Sequence, residues 1–192
     1  MAKKPTTPRP PPVPGGSSVQ RAHELFKQGR SGEALALLRP LLQRRDGVDA
    51  EAAALAAACL GADGKYEEAA RIDRMVCDAQ PENAQGWQSL GYDLFQAGDL
   101  PGALDAYARA IELEPTRAST HYNLARIAMR LGEKAQAIDH FLRATEIQPD
   151  FIERLDEDPD LKPLKDDPEL QDRLPGHGSP QDPYADYYAT RS

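Results

Sequence analysis

The stretch AQGWQSLGYDLFQAGDLPGALDAYARAIELEP, residues 84–115, reads as two short helices joined by a tight turn. Trp87, Leu90, Gly91 and Leu94 fall on one face at helical spacing. Gly98 then breaks the helix, as a residue that tolerates left-handed backbone does. Asp99 suits the cap of a second helix and Pro101 its first turn. Ala103, Tyr107 and Ala110 make a second apolar stripe, and Pro115 ends it.

The same text recurs on both sides. Ala69, Ala103 and Ala137 recur every 34 residues, as do Pro81, Pro115 and Pro149, and Gly64, Gly98 and Gly132. Three marker columns with one period divide residues 50–83, 84–117 and 118–151 into three copies of one unit. A degenerate copy, 15–49, precedes them: Gly29 and Ala34 stand 35 residues before their counterparts, so one residue is inserted, near Gly47, and Asp46 replaces the terminal proline. Pro40 lies inside its second helix and is expected to kink or split it. A single hairpin cannot bury its own stripe, so the units stack. The small residues Ala57, Gly91 and Ala125 mark where the two helices of each hairpin touch.

The flanks differ in composition. Residues 1–18 carry Pro5, Pro8, Pro11 and Pro14 at every third position, then Gly15-Gly16-Ser17-Ser18, and read as a disordered spacer. Arg9 stands at neither standard flanking position of a proline-rich ligand. Residues 150–174 read as a lid over the last hairpin. Asp150 is placed to cap a helix over Phe151–Leu155, two Asp-Pro starts follow at Asp158-Pro159 and Asp167-Pro168, and Leu161, Leu164, Leu170 and Leu174 are available for burial. Residues 175–192, with Tyr184, Tyr187 and Tyr188 among acids, read as a disordered tail.

Trp87, Leu90-Gly91, Ala103, Tyr107 and Pro115 follow the tetratricopeptide pattern, with Leu94 in place of the usual tyrosine. The chain therefore resembles the tetratricopeptide repeat family over about residues 15–149. The resemblance implies an all-α, right-handed superhelical solenoid of helix-turn-helix hairpins, and a scaffold that holds another polypeptide. It also implies that the first helix of each repeat lines the concave side. On that side fall Tyr122, Arg126, Met129 and Arg130 of one copy, Gln85, Gln88, Tyr92, Phe95 and Gln96 of the copy before it, and Phe26 of the first. Ala54 and Ala58 leave a shallow place between them. The expected groove is aromatic, amide-rich and cationic, suited to a segment with apolar anchors and a carboxylate near Arg126 and Arg130. The clamp of chaperone-tail readers does not match: its positions hold Ala54, Ala58, Ser89, Ser119 and Asn123, or, one copy earlier, Val19, His23, Leu55, Gln85 and Ser89.

The remaining features argue against other classes. A formal net charge of −8 opposes nucleic-acid binding, which rests on cations. No run approaches the roughly 18 to 20 apolar residues of a membrane span. The start Met1-Ala2-Lys3-Lys4-Pro5 lacks the apolar stretch of a secretory signal, so a cytoplasmic location is expected. Cys59 and Cys77 show no metal-ligand spacing, nor do His23, His121, His140 and His177, and no cofactor is expected. No nucleophile–base set or phosphate loop is present, so the expectation is a non-catalytic adaptor or scaffold with a protein or peptide partner. The alternative is a holding chaperone similar to those of type III secretion translocators; self-association through the end hairpins is a third reading.

Overall fold

The computed structural model describes residues 17–43 and 48–174. Eight helices form four hairpins: α1 (Ser18–Lys27) with α2 (Ser31–Leu42), α3 (Ala50–Ala62) with α4 (Tyr66–Ala79), α5 (Ala84–Ala97) with α6 (Leu100–Leu113), and α7 (Ala118–Leu131) with α8 (Lys134–Ile147). A 3-10 segment (Pro149–Leu155), a 3-10 turn (Lys162–Leu164) and the short α9 (Pro168–Arg173) follow. Each of α1 to α8 packs on the next in chain order, and α1 touches α3 as α5 touches α7. The described chain is an all-helical solenoid. The proline-rich leader up to residue 16, the insertion near Gly47 and the tyrosine-bearing tail lie outside the described residues.

The turns follow from residue chemistry. Gly29, Gly64, Gly98 and Gly132 each sit at positive φ, between 73° and 87°, inside the four hairpins. A Cβ at any of them would meet nothing within 4 Å, so backbone conformation rather than crowding demands glycine there. Side-chain oxygens supply the caps: Ser17 forms a capping box with Gln20, Asn83 accepts from the Gly86 amide at 3.1 Å, and Asp99 accepts from the Gly102 amide at 3.0 Å.

Close helix approach is set by the small columns. Ala69, Ala103 and Ala137 are fully buried. A Cβ on Gly91 would lie 2.9 Å from the Tyr107 ring, and Tyr107 is itself fully buried. Phe141 holds the equivalent place in the next hairpin, in one core with Ala125. That core continues into Phe151, Leu155, Leu161, Leu164 and Leu170, so the C-terminal segment covers the open end of the stack. Each buried leucine there is worth about 1.5–3 kcal/mol relative to exposure.

Three expectations need correction. α2 runs as one helix through Pro40, two residues before its end, so the proline does not split it. Asp150 is not the cap residue: Gln148 is, and the segment is 3-10, begun by Pro149, with Asp150 in its first turn. Asp158-Pro159 starts no helix, since Asp158 Oδ1 instead accepts from the Asp160 amide at 2.9 Å and folds the chain into a turn. Asp167 does cap α9, accepting from the Glu169 amide at 3.0 Å.

Candidate functional site

Between α3 and α5 opens a cavity of about 580 Å³. The α3 wall is made of Ala54, Ala58, Gly61 and Ala62, too small to reach across. Gln85, Ser89 and Tyr92 of α5 form the facing wall, and Asn123 of α7 closes one end. Tyr66, at the start of α4, stands edge-on to Tyr92 with ring centroids 6.5 Å apart. Tyr92 is exposed, and its hydroxyl accepts from Gln96 Nε2 at 2.9 Å. The shallow place expected at Ala54 and Ala58 thus lies on this cavity.

Two carboxyls line the cavity. Asp73 of α4 is 2% exposed and Asp93 of α5 is 6% exposed. Burial, then the charge of Asp93, pushes the Asp73 carboxyl well above the usual carboxylate range. Burial raises Asp93 too, and its hydrogen bond with Asp73 opposes that rise. Two adjacent buried carboxyls cannot both ionise cheaply, so the pair holds one proton more tightly than a lone carboxyl does.

The residues picked out by sequence separate into three groups. Gln85, Gln88 and Tyr92 remain on the walls, and Gln96 off the walls donates to the Tyr92 hydroxyl, but the amide oxygens of Gln85 and Gln88 accept from Arg117 Nη1 at 2.6 and 2.8 Å. Gln88 Nε2 also donates to Ser119 Oγ. Phe95 is fully buried, stacked beneath the guanidinium groups of Arg126 and Arg130 at 4.6 and 4.1 Å, and so offers no groove surface. Tyr122 is buried as well, and its hydroxyl donates to Asp158 Oδ2 at 2.8 Å. Arg126 pairs with Asp158 at 3.0 Å and Asp160 at 3.1 Å, and Arg130 with Asp160 at 2.9 Å. Met129 packs on the lid core, and Phe26 is half-buried against the first hairpin's core. The expected cationic anchor is therefore corrected: the chain's own C-terminal acids already hold both arginines.

Asp73, Asp93, Tyr66 and Arg117 escaped the sequence reading, and Asn123 entered it only as a clamp position that does not match. For the carboxyls a signal was present. Asp73 has the buried Ala69, Val76 and Cys77 at its helical neighbours, and Asp93 follows Leu90 by three, so each charge sits on an apolar stripe. Arg117, in the loop before α7, carried no periodic signal.

Two other clusters define the limits of the chemistry. His121 and His140 meet with Nδ1 atoms 3.3 Å apart, although no sequence spacing paired them, and burial lowers the pKa of both. Among the described residues no group of three His, Cys, Asp or Glu side chains could hold a metal ion. Cys59 and Cys77 are buried free thiols, and burial pushes Cys77 up to about 12. No described helix is long and apolar enough to cross a membrane.

Fold and cavity together define a helical-hairpin repeat protein with a polar hollow along its first helices. The tetratricopeptide repeat model matches residues 19–84 and 89–150, and the chain belongs to that family. It is similar to the peroxisomal targeting signal receptor of Eremothecium gossypii, 35% identical over 71 residues, 37% of this chain and 12% of that protein. It is also similar to human tetratricopeptide repeat protein 36, 34% identical over 88 residues, 46% of each chain. The chain spans less than half the length of these curated relatives. Among solved structures, MamA from Desulfovibrio magneticus RS-1 shares the fold, with a TM-score of 0.64 and 22% identity over 69% of this chain and 75% of that one.

Proposed function

We propose that this protein is a non-catalytic adaptor that holds a segment of a partner polypeptide along its row of first helices, centred on the cavity between α3 and α5. The observation that carries the reading is the alanine wall of α3 opposite the polar wall of α5, which leaves a hollow of about 580 Å³. Side chains that serve only cohesion do not need such a gap, whereas a groove for an extended or helical segment does. The peroxisomal targeting signal receptor of Eremothecium gossypii shares the repeat, and its reception of a targeting signal adds support for a peptide-holding role here.

Ala54 and Ala58 are exposed on α3, so Ala58→Trp fills the hollow without entering the core. Selection from a random nonapeptide display library against the wild type is expected to enrich binders that the Ala58→Trp protein does not retain, while its melting temperature stays unchanged. Equal retention by a folded Ala58→Trp protein would refute the proposed site.

A further inference from the structure

The carboxyls facing the hollow are unmatched by any cation around it. None of the residues that line the cavity is Lys, Arg or His. The nearby guanidinium groups are committed elsewhere, Arg126 to Asp158 and Asp160, and Arg117 to Glu114. Asp73 is 2% exposed, lines the cavity, and its Oδ2 accepts no hydrogen bond from any described group. Ionising two adjacent buried carboxyls is electrostatically costly, and an entering cation would relieve that cost. A Cβ on Gly61 would stand 3.5 Å from Asp93 Oδ1, so glycine there keeps the α3 wall from covering that oxygen with a side chain. The exposed Tyr92 ring stands beside the entrance, where an aromatic face attracts a cation.

From this juxtaposition we infer that the cavity is the anchor pocket for a basic side chain, lysine or arginine, projecting from the bound polypeptide, with Asp93 and Asp73 as its counter-charges. The inference rests on the groove reading and names its ligand chemistry. It reverses the polarity expected from sequence, because the arginines that would have taken a partner's carboxylate are neutralised within the chain. A polypeptide is favoured over a free amine because Ser89 and Asn123 at the rim offer hydroxyl and amide groups to a main chain. The net charge of −8 draws basic segments toward the molecule before they dock. As the cation enters, the pair can give up its shared proton and face it as two carboxylates.

The test uses displayed nonapeptide libraries with random flanks and a fixed centre of Arg, Lys, citrulline, norleucine or Glu. The full chain is expected to retain Arg- or Lys-centred peptides at least about tenfold better than the other three, a difference equal to about 1.4 kcal/mol. Asp93→Asn, checked for folding by thermal melting, is expected to abolish that preference, and Asp73→Asn gives a second reading should Asp93→Asn not fold. No basic preference, a preference that survives both folded variants, or a preference for Glu would overturn the anchor. Displacement of the bound peptides by spermidine alone at equal concentration would overturn the assignment to a polypeptide. Retention that Ala58→Trp blocks, but without basic preference, would reject the anchor and leave the groove standing. Absence of any retained peptide would reject both.

Discussion

Gly91 and Gly61 are both helical glycines on first helices, yet their surroundings fix opposite signs for an alanine substitution. A Cβ at Gly91 would stand 2.9–3.0 Å from three atoms of the Tyr107 ring, which is fully buried and cannot swing away. Overpacking of this kind costs about 1–3 kcal/mol, against about 1 kcal/mol gained from helix propensity. A Cβ at Gly61 would make ordinary contacts, 3.5 Å from Asp93 Oδ1 and 3.9 Å from Tyr66. Gly91→Ala is therefore expected to lower the urea midpoint, and Gly61→Ala to leave it unchanged or raise it by up to about 1 kcal/mol of stability. Equal effects of the two would contradict the packing described for α5 on α6. At this scale the sequence was informative about size and weaker about charge. The small column at Ala57, Gly91 and Ala125 could be read from its period, because period and volume are both written in the letters. Phe95 could not be placed the same way. Its fate depends on the arginines that α7 brings over it, and helical spacing within α5 does not contain that.

The elements with strong local signals formed where their signals lay. Each hairpin turn has its positive-φ glycine, and α6 carries the Asp99 cap that its sequence advertises. The C-terminal segment shows what local signals leave out. Leu161, Leu164 and Leu170 are buried as a lid should bury them, but Asp158 does not begin a helix. Its carboxylate is drawn into a contact with Tyr122 and Arg126 that lies 36 and 32 residues away in sequence, and long-range pairing outweighs a local start signal. The lid is thus held by ionic contacts as well as by leucines: Asp160 with Arg126 and Arg130, Lys134 with Asp167, and Arg173 with Asp139. Asp160 is 13% exposed in its side chain and serves two guanidinium groups, so Asp160→Ala leaves both short of a partner. A loss of about 1–3 kcal/mol is expected in denaturant unfolding, with faster amide exchange over residues 156–170 than in the first hairpin. Unchanged exchange in the lid would show that the leucines alone hold it.

Across the whole molecule, repetition was the most legible property. A 34-residue period in three residue columns specifies stacked hairpins, because no other arrangement buries so many identical stripes. The hollow was legible too, since Ala54 and Ala58 place small side chains where the neighbouring unit has Gln88 and Tyr92. Its polarity was not, because that required knowing which charges the lid consumes. The central claim is that the first helices of adjacent units leave a surface for a partner instead of spending every side chain on cohesion. The most direct measurement is backbone amide chemical-shift mapping of the full chain titrated with a nonapeptide selected on the wild type. The expected result is a contiguous set of perturbed amides at Ala54, Ala58, Ser89, Tyr92 and Asn123. Perturbations confined to the surroundings of the exposed Met75 and Leu131, with these five unmoved, would contradict it.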